Sequence, residues 1–292
     1  MKKAFTLIEL LVVIGILAIL CSVLIAALSG STDAAKGAKC LANLHSLAIG
    51  VQSRAMDNNS YPVAGSYVKY KDPARREQQV LHGWIGWSEN STSGSYISPY
   101  SQNREARNSS LTNGAIWKAV SANEEIFVCP LHREAFLKQG HGAKFGPCWS
   151  YVMNARFRWK SQTTPFPYNY YGYTYDSYAN KSKTLMFAEL PFLKNDVVSD
   201  VKFNEGGDTE NDPILQYPGC KGGGEEMIAF NHRTGKREVY AHVCYADGHT
   251  DKLVLPRNAS MSNIKDLTKW LCDSGDSFDV VLEGNQYRKL EN

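Results

Sequence analysis

The first 30 residues, MKKAFTLIELLVVIGILAILCSVLIAALSG, constrain this chain more than any other stretch. Two lysines and Phe5 lead into a run broken only by Thr6, Glu9, Gly15 and Ser22, with no further charge until Asp33. About 20 mostly apolar residues are what a helix needs to cross the hydrocarbon core of a bilayer. Glu9 is out of place there, because an ionisable group in such a helix is costly unless it is partnered. A cleaved secretory signal peptide, with a cut near Ala26-Ala27-Leu28-Ser29-Gly30, is one alternative. Its apolar region would be shorter, about 7–15 residues. An uncleaved signal anchor is the other. Lys2 and Lys3 orient the span with its N-terminus in the cytoplasm and the rest outside.

Lys3-Ala4-Phe5-Thr6-Leu7-Ile8-Glu9, followed by the apolar run, resembles the N-terminus of type IV prepilins and type II secretion pseudopilins. The resemblance implies that a prepilin peptidase cuts between Ala4 and Phe5 and methylates the new N-terminus. It also implies that Glu9, fifth in the mature chain, pairs with the N-terminal amine of a neighbouring subunit. The family usually has Gly before the cut, and Ala4 is the departure here. The charge logic is general: an ammonium and a carboxylate at low dielectric relieve each other's burial cost when they meet.

Composition narrows the partners. The formal charge is +3, and two of those charges are Lys2 and Lys3, so the rest of the chain lacks the basic character of a nucleic-acid binder. Beyond the apolar run the chain is polar, and it carries 16 Tyr and 6 Trp. Such residues serve contact surfaces and small β-rich cores alike. Cys21 lies inside the apolar run, leaving Cys40, Cys129, Cys148, Cys220, Cys244 and Cys272 as candidates for disulfides in an extracytoplasmic compartment.

The helix is expected to continue past the apolar run. No Pro occurs between Ser31 and Asp57, and Ala34, Ala38, Leu41, Leu44, Leu47, Ala48 and Val51 mark one face at spacings of three and four. Asp57-Asn58-Asn59-Ser60 with Pro62 ends it. A helix from Phe5 to Asp57 is roughly 80 Å long; two helices broken at Ser29-Gly30-Ser31 are the alternative. The expected organisation is a leader at 1–4, a transmembrane and assembly helix at 5–30, its amphipathic continuation at 31–60 and an extracytoplasmic head at 61–292. The fold class is α+β and pilin-like, the long helix packing on an antiparallel sheet with loop-rich insertions.

In the head, Ile126-Phe127-Val128, Ser150–Asn154, Thr184–Leu190, Met227–Phe230, Val239–Ala246, His249–Leu255 and Asp279–Leu282 read as strands. Ala115–Ala122 reads as a short helix, as does the stretch of Ile264, Leu267 and Leu271. Asp247-Gly248 between two β-like runs is a hairpin signal. Tyr67–Asn113 reads as loops and short strands. Cys40-Leu41-Ala42-Asn43-Leu44, the Cys129-Pro130 pair, and His232 with Asp247-Gly248 resemble a bacterial prepilin-like subfamily with a C-terminal signature of His, nine residues and Asp-Gly. Here fourteen residues lie between His232 and Asp247, so the signature is divergent.

Several constellations invite chemistry. Cys129 and Cys148 could form a disulfide, the favoured reading. Alternatively Cys129, His132, His141 and Cys148 supply a tetrahedral zinc set, and the third possibility is neither. Asp196, Asp200, Glu205, Asp208, Glu210 and Asp212 could hold calcium, though a solvated acidic loop is the simpler account. Gly222-Gly223-Gly224 reads as a flexible joint. Trp84 and Trp87, with Tyr168, Tyr170 and Tyr173, could form a glycan platform, or Trp84 and Trp87 could cover the core. His232, His242, Asp247 and His249 suggest a hydrolase when written together, but Asp247 already has work in the turn.

The resulting expectation is a non-catalytic structural subunit, a pseudopilin or minor pilin-like protein of a type II secretion or type IV pilus-like assembly. Its partners would be the peptidase, other subunits and the inner membrane, with no cofactor; calcium and zinc are the weaker alternatives. A membrane-anchored binding module is the second reading and a membrane-anchored hydrolase the third.

Overall fold

The structure, a computed structural model, describes residues 6–64, 67–71, 78–85, 104–138, 147–157, 178, 180–190, 214–215, 227–234, 238–256, 261–273, 280–283 and 286–289. Within the long helix the side chains of 24–31 lie outside the description.

Helix α1, Leu7–Asn58, is a single helix of 52 residues with no break at Ser29-Gly30-Ser31. It opens on a capping box. The Thr6 hydroxyl accepts the Glu9 backbone N–H at 3.3 Å, and the Glu9 carboxylate accepts the Thr6 backbone N–H at 2.8 Å. It closes on Asn59 in the left-handed conformation, φ 51°, which asparagine tolerates better than most residues. The described side chains from Leu7 to Val23 are all exposed. Among the described residues no helix is long and apolar enough to cross a membrane.

The second half of α1 is the spine of the head. It buries Gly37, Cys40, Leu44, Leu47, Val51 and Ala55. The face expected from sequence is therefore rotated at its start, since Ala34 and Ala38 are exposed and Leu41 is half-buried. Close approach explains the turn. A Cβ on Gly37 would stand 2.8 Å from the Tyr240 hydroxyl, so the missing side chain leaves room for Tyr240 of the sheet.

That sheet is mixed rather than wholly antiparallel. Strands β3 (Tyr151–Asn154), β4 (Leu185–Glu189), β7 (Glu238–Tyr245) and its partners β6 (His232–Thr234) and β8 (Thr250–Pro256) pair antiparallel, while β5 (Ile214–Leu215) runs parallel to β3. The central strand is β7. One edge carries β8 over nearly its full length. The other edge is shared: β4 pairs with Val243–Tyr245 and β6 with Glu238–Tyr240. Between those two partners sits His242. One sheet face packs under α1 through Tyr151, Met153, Met186, Phe187 and Cys244. The opposite face, with Val239, Ala241, Val243 and Tyr245, packs on helix α4 (Met261–Asp273) through Ile264, Leu267 and Leu271. Two hairpin-like pairs, β1 (Tyr67–Lys71) with β2 (Gln78–His82) and β9 (Val280–Glu283) with β10 (Gln286–Lys289), stand apart from this sheet.

Several expected elements change type for local reasons. Glu124–Phe127 is a 3-10 turn rather than a strand, because the Asn123 side chain accepts the Glu125 N–H at 3.0 Å and starts a helical turn. Residues 115–122 form consecutive turns instead of a helix, with Ser121 and Ala122 at positive φ. Met227–Phe230 is buried but not a strand. Its Ile228 N–H goes to the Thr268 hydroxyl, and its Ala229 N–H to the Glu189 carbonyl. Helices α2 (Arg104–Thr112) and α3 (Pro130–Lys138) occupy stretches that carried no helix signal.

The expected Asp247-Gly248 hairpin joins β7 to β8 and is also a joint to the spine. Asp247 accepts the His249 N–H at 3.1 Å. The Gly248 carbonyl lies 3.0 Å from His45 Nδ1, and Gln52 donates to the Ala246 carbonyl at 3.2 Å. Gly248 has φ 92°, and a Cβ there would meet Gln52 Nε2 at 2.8 Å. Gly248→Ala is accordingly expected to cost about 1–3 kcal/mol, and Ala38→Ser, on the exposed side of the spine, within about 0.5 kcal/mol of nothing. Urea unfolding of the detergent-solubilised full chain measures both; equal effects would remove the glycine's role as a joint.

Candidate functional site

The handover from β4 to β6 along β7 is where charge collects. Glu189 ends β4, His232 begins β6, and His242 lies in β7 between their pairings, all on the face covered by α1. Cys40 enters from the helix above. None of the four exceeds 4% exposure.

One oxygen holds the group together. Glu189 Oε1 lies 2.8 Å from His242 Nδ1 and 2.9 Å from His232 Nε2, and it accepts the Cys40 thiol at 2.9 Å. The backbone N–H of His242 also points to it at 3.4 Å. The other carboxylate oxygen accepts Asn231 Nδ2 at 3.2 Å, and the same amide donates to the Leu190 carbonyl. Around this core, Tyr151 donates to Cys40 Sγ at 3.3 Å and Cys129 Sγ lies 3.9 Å from His232 Nε2. His232 stacks on Tyr240, whose ring carries Lys252 Nζ 3.6 Å from its centroid.

Burial opposes charge on each member, and mutual contact decides the outcome. Burial alone would raise the Glu189 pKa, but the charge and hydrogen bonds of His232 and His242 outweigh it and hold the carboxyl below the usual carboxylate range. His232 is pushed the other way: burial disfavours its cation, and the Glu189 charge and the Cys129 contact more than restore it. The Cys40 thiol is raised, first by burial and then by its contact with Cys129. A buried carboxylate with two imidazoles and a thiol on one oxygen is an ion-pair network. The same side chains are also a soft-and-nitrogen donor set able to hold a metal, with all four ligand atoms within 4.8 Å of one another.

The sequence-derived site residues are distributed differently from expectation. Cys129 is a buried thiol directed at His232 and Cys40, and Cys148 is buried as well. His132 is committed to Ser150, Nδ1 to Oγ at 2.8 Å, and His141 lies outside the described residues; the Cys129, His132, His141, Cys148 set is not assembled among them. His232 and His242 do meet. Asp247 does not join them, being engaged with His249 in the hairpin turn. Trp84 is fully buried against Phe187 and is core rather than platform. Trp87, Tyr168, Tyr170, Tyr173, the acidic stretch from Asp196 to Asp212 and Gly222-Gly223-Gly224 lie outside the described residues, as do Ala4 and Phe5. Glu189 escaped the sequence reading. Its signal was a lone acid inside the apolar run Leu185-Met186-Phe187-Ala188-Glu189-Leu190, which a buried strand tolerates only with partners.

Residues 1–25 match the family of the prokaryotic N-terminal methylation motif, which supports a type IV prepilin-like protein. Comparison with curated proteins and with solved structures gives no match.

Fully buried His132 titrates far from its ordinary value. Burial holds its pKa down to about 3, from the ordinary 6.5 of a histidine, although the Glu189 charge pulls upward. The folded state therefore binds fewer protons than the unfolded one in that interval, and His132 removes stability as pH falls from 6.5 towards 3. Relative to His132→Asn, the wild-type chain should lose up to about 1.4 kcal/mol per pH unit across this range. Chemical unfolding of both at several pH values checks it; a constant difference would mean that His132 is not held neutral.

Proposed function

We propose that this type IV prepilin-like chain is a structural subunit, a pseudopilin or minor pilin-like component of a type II secretion or type IV pilus-like assembly. It is inserted in the inner membrane with its head outside, cut between Ala4 and Phe5, and packed through its N-terminal helix against other subunits.

The observation that carries the reading is the division of α1. From Gly37 onward the helix is built into the head, while from Leu7 to Val23 it presents apolar side chains on every side, from Leu7 at 79% exposure to Val13 at 46%. An apolar helix projecting from a folded head needs lipid, neighbouring helices, or each in turn. The capping box adds a mechanism. Glu9 already directs its carboxylate at the backbone N–H of Thr6, the residue that caps its own helix. A charged amine on Phe5 of a neighbouring subunit would offer that carboxylate a stronger partner than Thr6, so assembly exchanges a local hydrogen bond for an intersubunit ion pair. Catalysis has no part in this reading. The four-residue cluster beneath α1 is sealed from solvent, and a hydrolytic site must admit substrate and water. A glycan-binding head loses Trp84 as a platform residue.

Mass spectrometry of the mature protein, isolated from a host that has the peptidase, tests the processing. The expected chain begins at methylated Phe5; one that begins at Met1 or after Ala27 contradicts the reading. Glu9→Ala is expected to be cut normally yet to be lost from assembled filaments, and normal assembly would refute the role given to Glu9.

A further inference from the structure

We propose that Cys40, Glu189, His232 and His242 form a zinc site that clamps the spine helix to the head, whichever assembly the subunit enters. The four ligands come from four elements, α1, β4, β6 and β7, and Cys40 and Glu189 are separated by 149 positions in sequence.

Four features point to a cation. The first is donor type: one thiol, one carboxylate and two imidazoles are zinc ligands, and structural zinc takes four in a tetrahedron. The second is spacing. Zinc bonds of about 2.0–2.3 Å put tetrahedral ligand atoms about 3.3–3.8 Å apart, and these four atoms all lie within 4.8 Å of one another. The third is charge. A thiolate and a carboxylate balance Zn²⁺, leaving both imidazoles neutral, so a set with no member above 4% exposure carries no net charge. The fourth is crowding. Glu189 Oε1 is approached by three side-chain donors and one backbone N–H, at 2.8, 2.9, 2.9 and 3.4 Å. A carboxylate oxygen has two lone pairs for these four contacts. A metal resolves the excess: the thiol gives up its proton, each imidazole turns a lone pair inward, and Glu189 keeps one oxygen for the ion.

The surroundings suit that role. Asn231 holds Glu189 Oε2 at 3.2 Å and so aims Oε1 into the cluster, and Tyr151 donates to Cys40 Sγ at 3.3 Å, where a thiolate is the better acceptor. Gly37 keeps the helix close enough for Cys40 to reach, since a Cβ there would stand 3.6 Å from His242 Cε1 and 2.8 Å from the Tyr240 hydroxyl. Cys129, 3.9 Å from His232 Nε2, flanks the four-ligand set.

The test uses the full chain, expressed without a histidine tag in zinc-replete medium and purified in detergent. Elemental mass spectrometry is expected to find about one zinc per chain after dialysis. Exchange with Co²⁺ is expected to give a thiolate-to-cobalt charge-transfer band, which Cys40→Ser abolishes and His249→Gln, at an exposed histidine outside the set, preserves. Asn231→Ala should weaken zinc retention about 10–100-fold. The proposal is overturned by a folded, reduced chain that neither contains nor takes up zinc. A Cys40–Cys129 disulfide in the isolated protein, or an unchanged cobalt band in Cys40→Ser, also overturns it. Should Cys40→Ser fail to fold, the zinc content and cobalt spectrum of the wild-type chain decide alone.

Discussion

A single carboxylate oxygen, Glu189 Oε1, is the point on which the head depends. It lies where β7 changes neighbours from β4 to β6, and there it accepts the His242 N–H at 3.4 Å. The side chain of Glu189 supplies the acceptor and also draws in His232, His242 and Cys40. Strand order, helix docking and burial of charge are thus one problem with one solution. Remove the carboxylate and His232, His242 and Cys40 each lose a buried polar partner, which is far costlier than the loss of a surface pair.

The helix gains its two lives from this junction. Below it, the spine is a core element, anchored by Cys40 and by the His45 and Gln52 contacts to the hairpin turn. Towards its N-terminus, the side chains from Leu7 to Val23 are exposed among the described residues. In the assembly proposed above, forces on packed N-terminal helices would reach the head through α1, so a rigid coupling between the halves would matter there. Three residues of the C-terminal half fit this view. His232 belongs to the buried cluster, Asp247 shapes the turn, and Gly248 lets that turn touch the spine.

Much of this was legible because local rules governed it. The capped helix, the Asp-Gly hairpin, β3, β4, β7 and α4 follow from periodicity and turn chemistry. What local rules could not show was contact. The face of α1 was misjudged at Ala34 and Ala38 because alanine is compatible with either side, and only the closeness of Tyr240 selects Gly37. Cys129 meets Cys40 and His232, contacts between residues far apart in the chain that no local spacing announces. His232 and His242 were noticed, yet they were grouped with Asp247 on proximity in the chain. Glu189, the residue that unites them, passed as part of an apolar strand, although a lone acid in such a strand is itself the signal.

The central claim is that spine and sheet are locked into one unit at Glu189. Native-state hydrogen exchange of the full chain in detergent tests it most directly, by comparing backbone amides of residues 37–55 in α1 with those of 239–245 in β7. The account predicts that both segments open with the same free energy, equal to that of global unfolding, and respond together to denaturant. If residues 37–55 exchange through a separate and markedly easier opening while β7 stays protected, the helix is merely resting on the head, and the account is wrong.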